Sequence, residues 1–315
     1  RINGEEEFAY ESELFRAQAA KFEDLNMMVR LKVLRFLNDG RKPQGCVAAG
    51  LSVTARGITL GQLRALSKKI EASCPWSPST CPWVSEPSEP LSFESLTGSH
   101  IARWVVHMTS SAQCSMMELL AEGPQLPQFF VTQAWSRPWI DDMLAIELFA
   151  EASQLPDSAV FFIGLFSQNL HSHGKTRDAA EEQRVIQGEC QATVCILNAP
   201  GTVKRMWLWH DVQIAVERGN GLFIACKSGI IACNQPFADG TWICGHMDVT
   251  ITSLLGNFDV RKCRCATPDD EPVILEYLRG DATGSGEDGI ARFNARVRRW
   301  CAGAILRTAA RTDAV

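Results

Sequence analysis

Several features that would assign a function at once are missing from this sequence. No apolar run in its 315 residues approaches the length needed to cross a lipid bilayer, since "AVFFIGLF" at 159–166 is too short. No phosphate-binding loop is present, because the glycine clusters at 219–221 and 284–289 lack the Walker lysine and the strand-to-helix context. A GxSxG nucleophile elbow is also absent. The sequence therefore predicts neither membrane insertion nor phosphate-loop or α/β-hydrolase chemistry.

Basic charge is not in excess either. The formal net charge is -5, which gives no reason to expect a nucleic-acid partner. Twelve cysteines are scattered along the chain, and several lie inside apolar runs such as "ATVCILNA", which indicates buried thiols and a reducing compartment. We therefore expect an intracellular, cytoplasmic protein. Because the chain begins with Arg1 rather than Met, a targeting segment removed from its N-terminus stays an alternative.

Three cysteines and a histidine could bind a metal. Cys244, His246, Cys263 and Cys265 would make a four-ligand zinc site if the chain folded back on itself. Their spacing is not the usual CxxC, and the alternation equally fits β-strands. We expect buried thiols here, with no metal and no cofactor, and leave open whether the four side chains converge.

Hydrophobic periodicity divides the chain into three parts. Residues 1–124 are typical of a mainly helical N-terminal extension, with a proline-rich loop at 74–92. Within residues 125–230, four continuous apolar strands alternate with helices, which is the pattern of a parallel sheet covered on both faces. This pattern predicts an α/β domain with a flavodoxin-like parallel sheet of four to five strands flanked by helices. Residues 231–315 are predicted to form a C-terminal helical part that packs on it.

The first predicted strand ends in polar and aromatic residues. "QFFVTQAWSRPW" at 128–139 runs through Trp135 and Pro138 to Trp139, just before an amphipathic helix. Open α/β sheets place their ligand sites at strand ends of this kind. The two tryptophans could stack on the ring of a nucleotide, but the favoured interpretation is that they close the sheet and pack against the helix.

The order and spacing of these segments resemble the Toll/interleukin-receptor-like (TIR-like) domains of algal and protist proteins. "FFVTQAWSRP" is similar to the family's first strand end, and "FFIGLFSQNLH", with Asn169 and His171, is similar to the second. "RMWLWHDV" resembles the third motif, on a helix. "ATPDDEPVIL" and "FNARVRRW" resemble an acidic-proline stretch and a final helix. The resemblance covers most of the chain and implies a TIR-like α/β fold.

The sequence departs from this family at functionally important positions. The family's Ser-His pair is Thr132 and Gln133 here. In TIR domains that cleave NAD, the third motif supplies a catalytic glutamate, and the matching residue is Asp211. A carboxylate there would stabilise the positive charge that develops on the ribose as nicotinamide leaves. Aspartate is one methylene shorter, and a misplacement of about 1 Å can lower a rate on the order of a hundredfold.

The resemblance therefore implies a non-catalytic interaction or assembly protein, a scaffold or signalling component whose partners are proteins or further copies of itself. An alternative is an NAD-cleaving hydrolase, with NAD as substrate and Asp211 as the catalytic carboxylate. In that case Trp135, Asn169, His171 and Trp207 would surround the nucleotide.

Each of these residues also has a purely structural interpretation. Asp211 could be a solvated or ion-paired helix residue, and Asn169 and His171 could be a turn residue and a surface side chain. A second alternative for the whole chain is an accessory subunit of a larger complex, docked through residues 1–40. An enzyme would need an open cleft at the strand ends that faces Asp211, whereas a scaffold would have that cleft filled by Trp135, Trp139 or the proline-rich segment.

Overall fold

A six-stranded mixed sheet forms the centre of the protein. The computed structural model describes residues 50–77, 81, 84, 90–171, 176–237, 249–279 and 286–312. The strand order is β1-β3-β2-β4-β5-β6. The strands are β1 (Ile58–Thr59), β2 (Phe129–Thr132), β3 (Val160–Ile163), β4 (Ala192–Ile196), β5 (Gly221–Cys226) and β6 (Gly229–Cys233). The α/β class predicted from the sequence is confirmed.

The sheet is larger than the sequence predicted. The four predicted strands, β2 to β5, are parallel to one another. An antiparallel strand is added at each edge, because β1 pairs with β3 and β6 pairs with β5. Strand β6 follows β5 directly through a tight turn, so β5 is not the edge strand. The result is a mixed sheet of six strands where we had predicted four to five parallel ones.

Helices cover both faces of the sheet. In the part of the chain that the structure describes, they are α1 (Leu60–Ser73), α2 (Gly98–Thr109), α3 (Met116–Leu120), α4 (Trp139–Ala152), α5 (Gly164–Ser167), α6 (Thr176–Glu189), α7 (Met206–Arg218), α8 (Val249–Gly256), α9 (Asp270–Arg279) and α10 (Gly286–Thr312). None of these helices combines the length and the apolar character that crossing a membrane requires.

Side-chain alternation along the strands creates two separate cores. Phe129 and Val131 belong to a core shared with α1, α2 and α4, and we call this side of the sheet the first face. Phe130 points the other way and packs with Ile186 of α6. Helices α7 to α10 pack on that same second face, around Trp209. A side chain on one face is therefore separated from the other by the sheet itself.

The described part of the N-terminal region is built into the first face. Thr59 ends β1 and also begins α1, where its hydroxyl accepts a hydrogen bond from the Gln62 amide at 3.1 Å, and the Gln62 side chain accepts one from the Thr59 amide at 2.9 Å. This reciprocal cap fixes the start of α1. Of the predicted proline-rich loop, the described ends are joined, since Trp76 and Leu91 exchange two backbone hydrogen bonds of 2.9 and 2.7 Å. The first 49 residues of the predicted helical extension lie outside the described residues.

A short segment of this region also crosses the end of β2. The Ser99 amide donates to the Trp135 carbonyl at 2.7 Å, and the Trp139 amide donates to the Leu96 carbonyl at 2.7 Å. Gly98 donates to the Arg137 carbonyl at 3.2 Å. We call residues 96–99 the strap. Because three backbone hydrogen bonds hold it there, the strap fixes the loop that leaves the strand end.

Candidate functional site

The carboxyl ends of β2 and β4 meet side by side in the middle of the sheet. The chain runs from β2 to β3 on one side and then returns past β2 to form β4 on the other. The connections after β2 and β4 therefore leave a crevice between them, and open α/β sheets bind ligands in crevices of this kind.

A group of polar side chains lies at this edge on the first face. Asn198, two residues beyond β4, donates from Nδ2 to Oδ1 of Asp142 at 2.9 Å. Its Oδ1 accepts a hydrogen bond from the Lys227 amide at 2.8 Å, so Asn198 connects α4 to the end of β5. Lys227 also pairs with Asp141 through its side chain at 3.4 Å. We call Gln133, Arg137, Asp142 and Asn198 the Asp142 cluster.

Asp142 is the most unusual member of this cluster. It is 1% exposed although it carries a carboxyl group, and its Oδ2 atom has no hydrogen-bond partner. The pKa of Asp142 is raised to about 7, chiefly by burial and to a smaller extent by the neighbouring Asp141 carboxylate. The Asn198 hydrogen bond and the Arg137 charge act in the opposite direction. The carboxyl group is thus poised to hold or release a proton near neutral pH.

An open groove lies beside the same strand end, along α2. It has a volume of about 530 Å³ and its surface is mostly apolar. Trp135 and Leu170 form one side, and Ala102 and Val106 of α2 form the other. The exposed basic side chains Arg103 and His107 stand along it. Among the described residues, none that lines this groove is acidic.

The structure brings together three of the residues that the sequence singled out. Trp135 packs against the first-face core and lines the groove. Asn169 donates to the Gln113 carbonyl at 2.8 Å, and its Oδ1 accepts from the His171 amide at 3.0 Å, which is the turn-forming role. His171 is half-buried, and its Nε2 lies 2.7 Å from the Thr109 hydroxyl at the end of α2.

Asp211 and Trp207 lie on the opposite face of the sheet. Asp211 is 4% exposed, and its Oδ1 accepts a hydrogen bond from Gln187 of α6 at 3.1 Å. The side-chain oxygen Oε1 of Gln187 in turn accepts a hydrogen bond from the Thr193 hydroxyl on β4 at 3.0 Å. Trp207 packs against the second-face core and donates to Asp270 at 2.8 Å. This arrangement differs from the single pocket that the resemblance implies, because the sheet stands between Asp211 and Trp135.

The two tryptophans of the opening segment have different surroundings. Trp139 is fully buried, its Nε1 donates to the Ser67 hydroxyl at 3.2 Å, and its ring meets Phe166 edge-on at 5.6 Å. The packing interpretation of Trp139 is therefore confirmed. Trp135 is only half-buried, so part of its ring remains available in the groove.

The described residues contain no group of three or more His, Cys, Asp or Glu side chains placed to hold a metal ion. Cys244 and His246 lie outside the described residues, so convergence of the four predicted ligands stays untested. Cys263 is buried, with its thiol 3.5 Å from the Val203 carbonyl. Burial raises the pKa values of Cys263 and Cys265 to about 12, as expected of thiols that pack rather than react.

The sequence reasoning missed the Asp142 cluster. Its signal was present as a polar Gln133 in a buried strand end and as two aspartates inside the otherwise apolar start of α4. Comparison of the chain with protein-family models, with curated proteins and with solved structures finds no match in any of the three.

Proposed function

We propose that this chain is a non-catalytic TIR-like interaction protein that assembles with further copies of itself. Support for the fold assignment comes from the order of the four parallel strands, β3-β2-β4-β5, which is the order of the first four strands in flavodoxin-like sheets. Support for the function comes from the open groove at the strand ends. The residues described along it make it apolar and edged by basic side chains, and none of them carries a carboxylate.

The groove has a complementary surface on the same chain. Helix α4 exposes Ile140 and Leu144, which lie one turn apart and are 37% and 44% exposed. Its surface also carries the acidic residue Glu151, whereas Asp141 and Glu147 are already paired with Lys227 and Arg64 of the same chain. An apolar helix face with an acidic residue near its end fits an apolar groove with Arg103 and His107 beside it. The partner that this surface pair best accommodates is a second copy of the chain.

Two different surfaces that meet in this way form a heterologous contact. Such a contact leaves a free groove at one end of a dimer and a free α4 at the other. Further copies can then add until a ring closes or an open chain grows. We therefore expect assembly to depend on concentration and to continue beyond dimers.

The NAD-cleaving alternative has less support. Its catalytic carboxylate, Asp211, is buried on the second face and already bonded to Gln187. In the part of the chain that the structure describes, the groove beside Trp135 has no other carboxylate to stabilise a ribosyl cation. The accessory-subunit alternative depends on residues 1–40, which lie outside the described part of the chain.

The test is sedimentation velocity on the full chain across a range of concentrations. Val106→Asp places a charge in the groove, and Leu144→Asp places one on the α4 stripe. Each change removes apolar contact worth about 1.5 kcal/mol or more, so we expect association at least about tenfold weaker. Val185→Asp is the matched control, because Val185 is 45% exposed on α6 and outside both surfaces.

Two results would contradict the proposal. One is a wild-type chain that stays monomeric at every concentration. The other is Val185→Asp weakening association as much as the two interface variants do. An NAD turnover assay on the same wild-type preparation completes the test, since turnover abolished by Asp211→Ala would restore the hydrolase alternative.

A further inference from the structure

Five exposed basic side chains lie together beside the second face, between the start of α7 and the middle of α10. They are Lys204, Arg261, Lys262, Arg264 and Arg298, and we call them the basic surface. Their neighbours Val203, Val260 and Cys263 are buried in the second-face core. The chain as a whole carries a net charge of -5, so this local excess of positive charge runs against its overall balance. A surface with one sign of charge favours a partner of the opposite sign.

Hydrogen bonds to the backbone hold the basic surface together. The Arg264 amide donates to the Lys204 carbonyl at 2.8 Å, which joins the segment 258–264 to the start of α7. The Arg264 guanidinium donates to the Arg261 carbonyl at 3.1 Å. From α10, Nε of Arg298 donates to the carbonyl of residue 258 at 2.7 Å. The five cations therefore lie next to one another on a fixed frame.

The one carboxylate inside this segment, Asp259, is already engaged. Nη2 of Arg261 donates to its Oδ2 at 2.9 Å, and Nδ2 of Asn294 donates to its Oδ1 at 2.9 Å. The pKa of Asp259 is lowered to about 2, chiefly by its hydrogen bond from Arg261. Among the described residues, no carboxylate forms an ion pair with Lys204 or Lys262. The surface thus keeps an excess of positive charge for a partner.

The sequence contains one segment whose charge matches this surface. Residues 5–13, "EEEFAYESE", hold five glutamates and no basic residue, and no other window of nine residues in the sequence has as many acidic ones. This segment lies outside the described residues. Residues 14–49 join it to the described chain, and even at the rise of a helix they would cover about 54 Å. A compact chain of this size has a radius of gyration of about 20 Å, so the segment has the reach to meet the surface.

We propose that the basic surface binds the acidic segment 5–13 of the same chain. Exposed charge pairs are individually weak, so five of them give a free acidic peptide a Kd on the order of 1 mM. A tether supplies an effective concentration that is also on the order of 1 mM. The contact within one chain is therefore populated at micromolar protein concentrations, where the same contact between two copies is not. The basic surface is separate from the groove and the α4 stripe, so this contact does not depend on assembly through them.

The test is cross-linking of the full chain with a carbodiimide, which condenses a carboxylate with an ammonium group when the two are in contact. Mass spectrometry of an equal mixture of unlabelled chains and chains labelled with heavy nitrogen shows whether a cross-link lies within one copy or joins two. We expect glutamates of segment 5–13 to be linked to Lys204 or Lys262 of the same copy. Raising the salt concentration from about 0.05 M to about 0.5 M should reduce these cross-links at least about fivefold, because salt screens exposed charges.

Two variants separate this contact from a general effect of charge. Glutamine at positions 5, 6 and 7 removes three of the five charges and keeps Glu11 and Glu13 as reporters, whose cross-links to the basic surface should fall at least about fivefold. The control variant removes three acidic charges elsewhere, through Glu86→Gln, Glu89→Gln and Asp281→Asn, and should leave the cross-links unchanged. Lys68 is the internal control, since it is an exposed lysine on α1, which packs on the first face.

Three outcomes would overturn the proposal. The first is that segment 5–13 forms no cross-links to the basic surface in the wild-type chain. The second is that its cross-links to Lys68 are as frequent as those to Lys204 and Lys262, or that the two variants lose cross-links equally. The third is that the cross-links join different copies, which would assign the surface to a contact between chains. None of these outcomes bears on sedimentation of the groove and α4 variants, so the two proposals can fail separately.

Discussion

At the scale of single residues, the surroundings of Asp211 bear most directly on the functions that the sequence suggested. It lies on α7 between Leu208 and Val212, both buried on the second face. Its carboxylate accepts a hydrogen bond from Gln187, which is also bonded to Thr193. This network joins α6, α7 and β4 and gives Asp211 a structural role.

Asp211→Ala should therefore lower stability. The substitution leaves Nε2 of Gln187 buried without its partner, which costs about 1–3 kcal/mol. Urea denaturation at neutral pH measures the change in the free energy of unfolding. Asp141→Ala is the control, because Asp141 is a partly exposed aspartate in a surface ion pair and should cost less than about 1 kcal/mol. Equal losses in the two variants would contradict the structural role.

Asp142 gives a prediction about pH. Its folded-state pKa is raised to about 7 from its ordinary value of 3.8, so the folded protein binds this proton more tightly than the unfolded chain does. The resulting stability is fully present below about pH 4 and is lost as pH rises through about 7. Asp142→Asn cannot ionise, so at pH 8 it should be more stable than wild type, by a margin on the order of 3 kcal/mol.

Denaturation of both proteins at pH 5 and pH 8 measures this difference. The advantage of Asp142→Asn should grow between the two pH values, since only wild type must ionise the buried carboxyl. An advantage of the same size at both pH values would mean that Asp142 titrates near its ordinary pKa and is not buried as described.

At the scale of elements, the sequence was informative about the middle of the sheet and uninformative about its edges. Strands β2 to β5 were predictable because each is a continuous apolar run between helices. Strand β1 has only two residues and owes its pairing to β3, about a hundred positions later, so no local pattern marks it. Strand β6 was not predicted, because it follows β5 after a short turn and no helix separates the two strands.

The candidate site shows the same division. Trp135, Asn169 and His171 were singled out because they follow recognisable strands and lie in segments that resemble family motifs, and their site roles stay predictions. The Asp142 cluster was missed because the hydrogen bond between Asp142 and Asn198 joins residues that are distant in sequence. For Asp211 a motif gives the residue type, whereas the packing of α7 on the sheet determines which face it occupies, so its catalytic role also stays a prediction.

The strap supplies a prediction about an element. A Cβ atom at Gly98 would lie 2.9 Å from Cα and 3.1 Å from the carbonyl oxygen of Trp135, so backbone would have to move. We expect Gly98→Ala to destabilise the protein by about 1–3 kcal/mol and to loosen the loop that carries Arg137. Gly123→Ala is the control, since a Cβ there meets nothing within 4 Å. Hydrogen exchange at the Ser99 and Trp139 amides measures the loosening, and unchanged protection would contradict it.

At the scale of the whole molecule, the two faces of the sheet carry different features. The second face is covered by α6 to α10 and contains the network around Asp211. The first face carries the groove, the α4 stripe and the Asp142 cluster, all near the carboxyl ends of β2 and β4. Among the described residues, the groove, the α4 stripe and the Asp142 cluster thus lie on the same face of the sheet, which favours a protein that functions by binding other molecules.

The central claim is that the groove of one copy receives α4 of another. The most direct measurement is sedimentation velocity on a mixture of Val106→Asp, which has an intact α4, and Leu144→Asp, which has an intact groove. At concentrations where wild type assembles and each variant alone, with its weaker contact, is still monomeric, the equimolar mixture should form dimers and nothing larger, because only one intact contact is possible per pair. A mixture that stays monomeric, or that grows as far as wild type does, would contradict the claim.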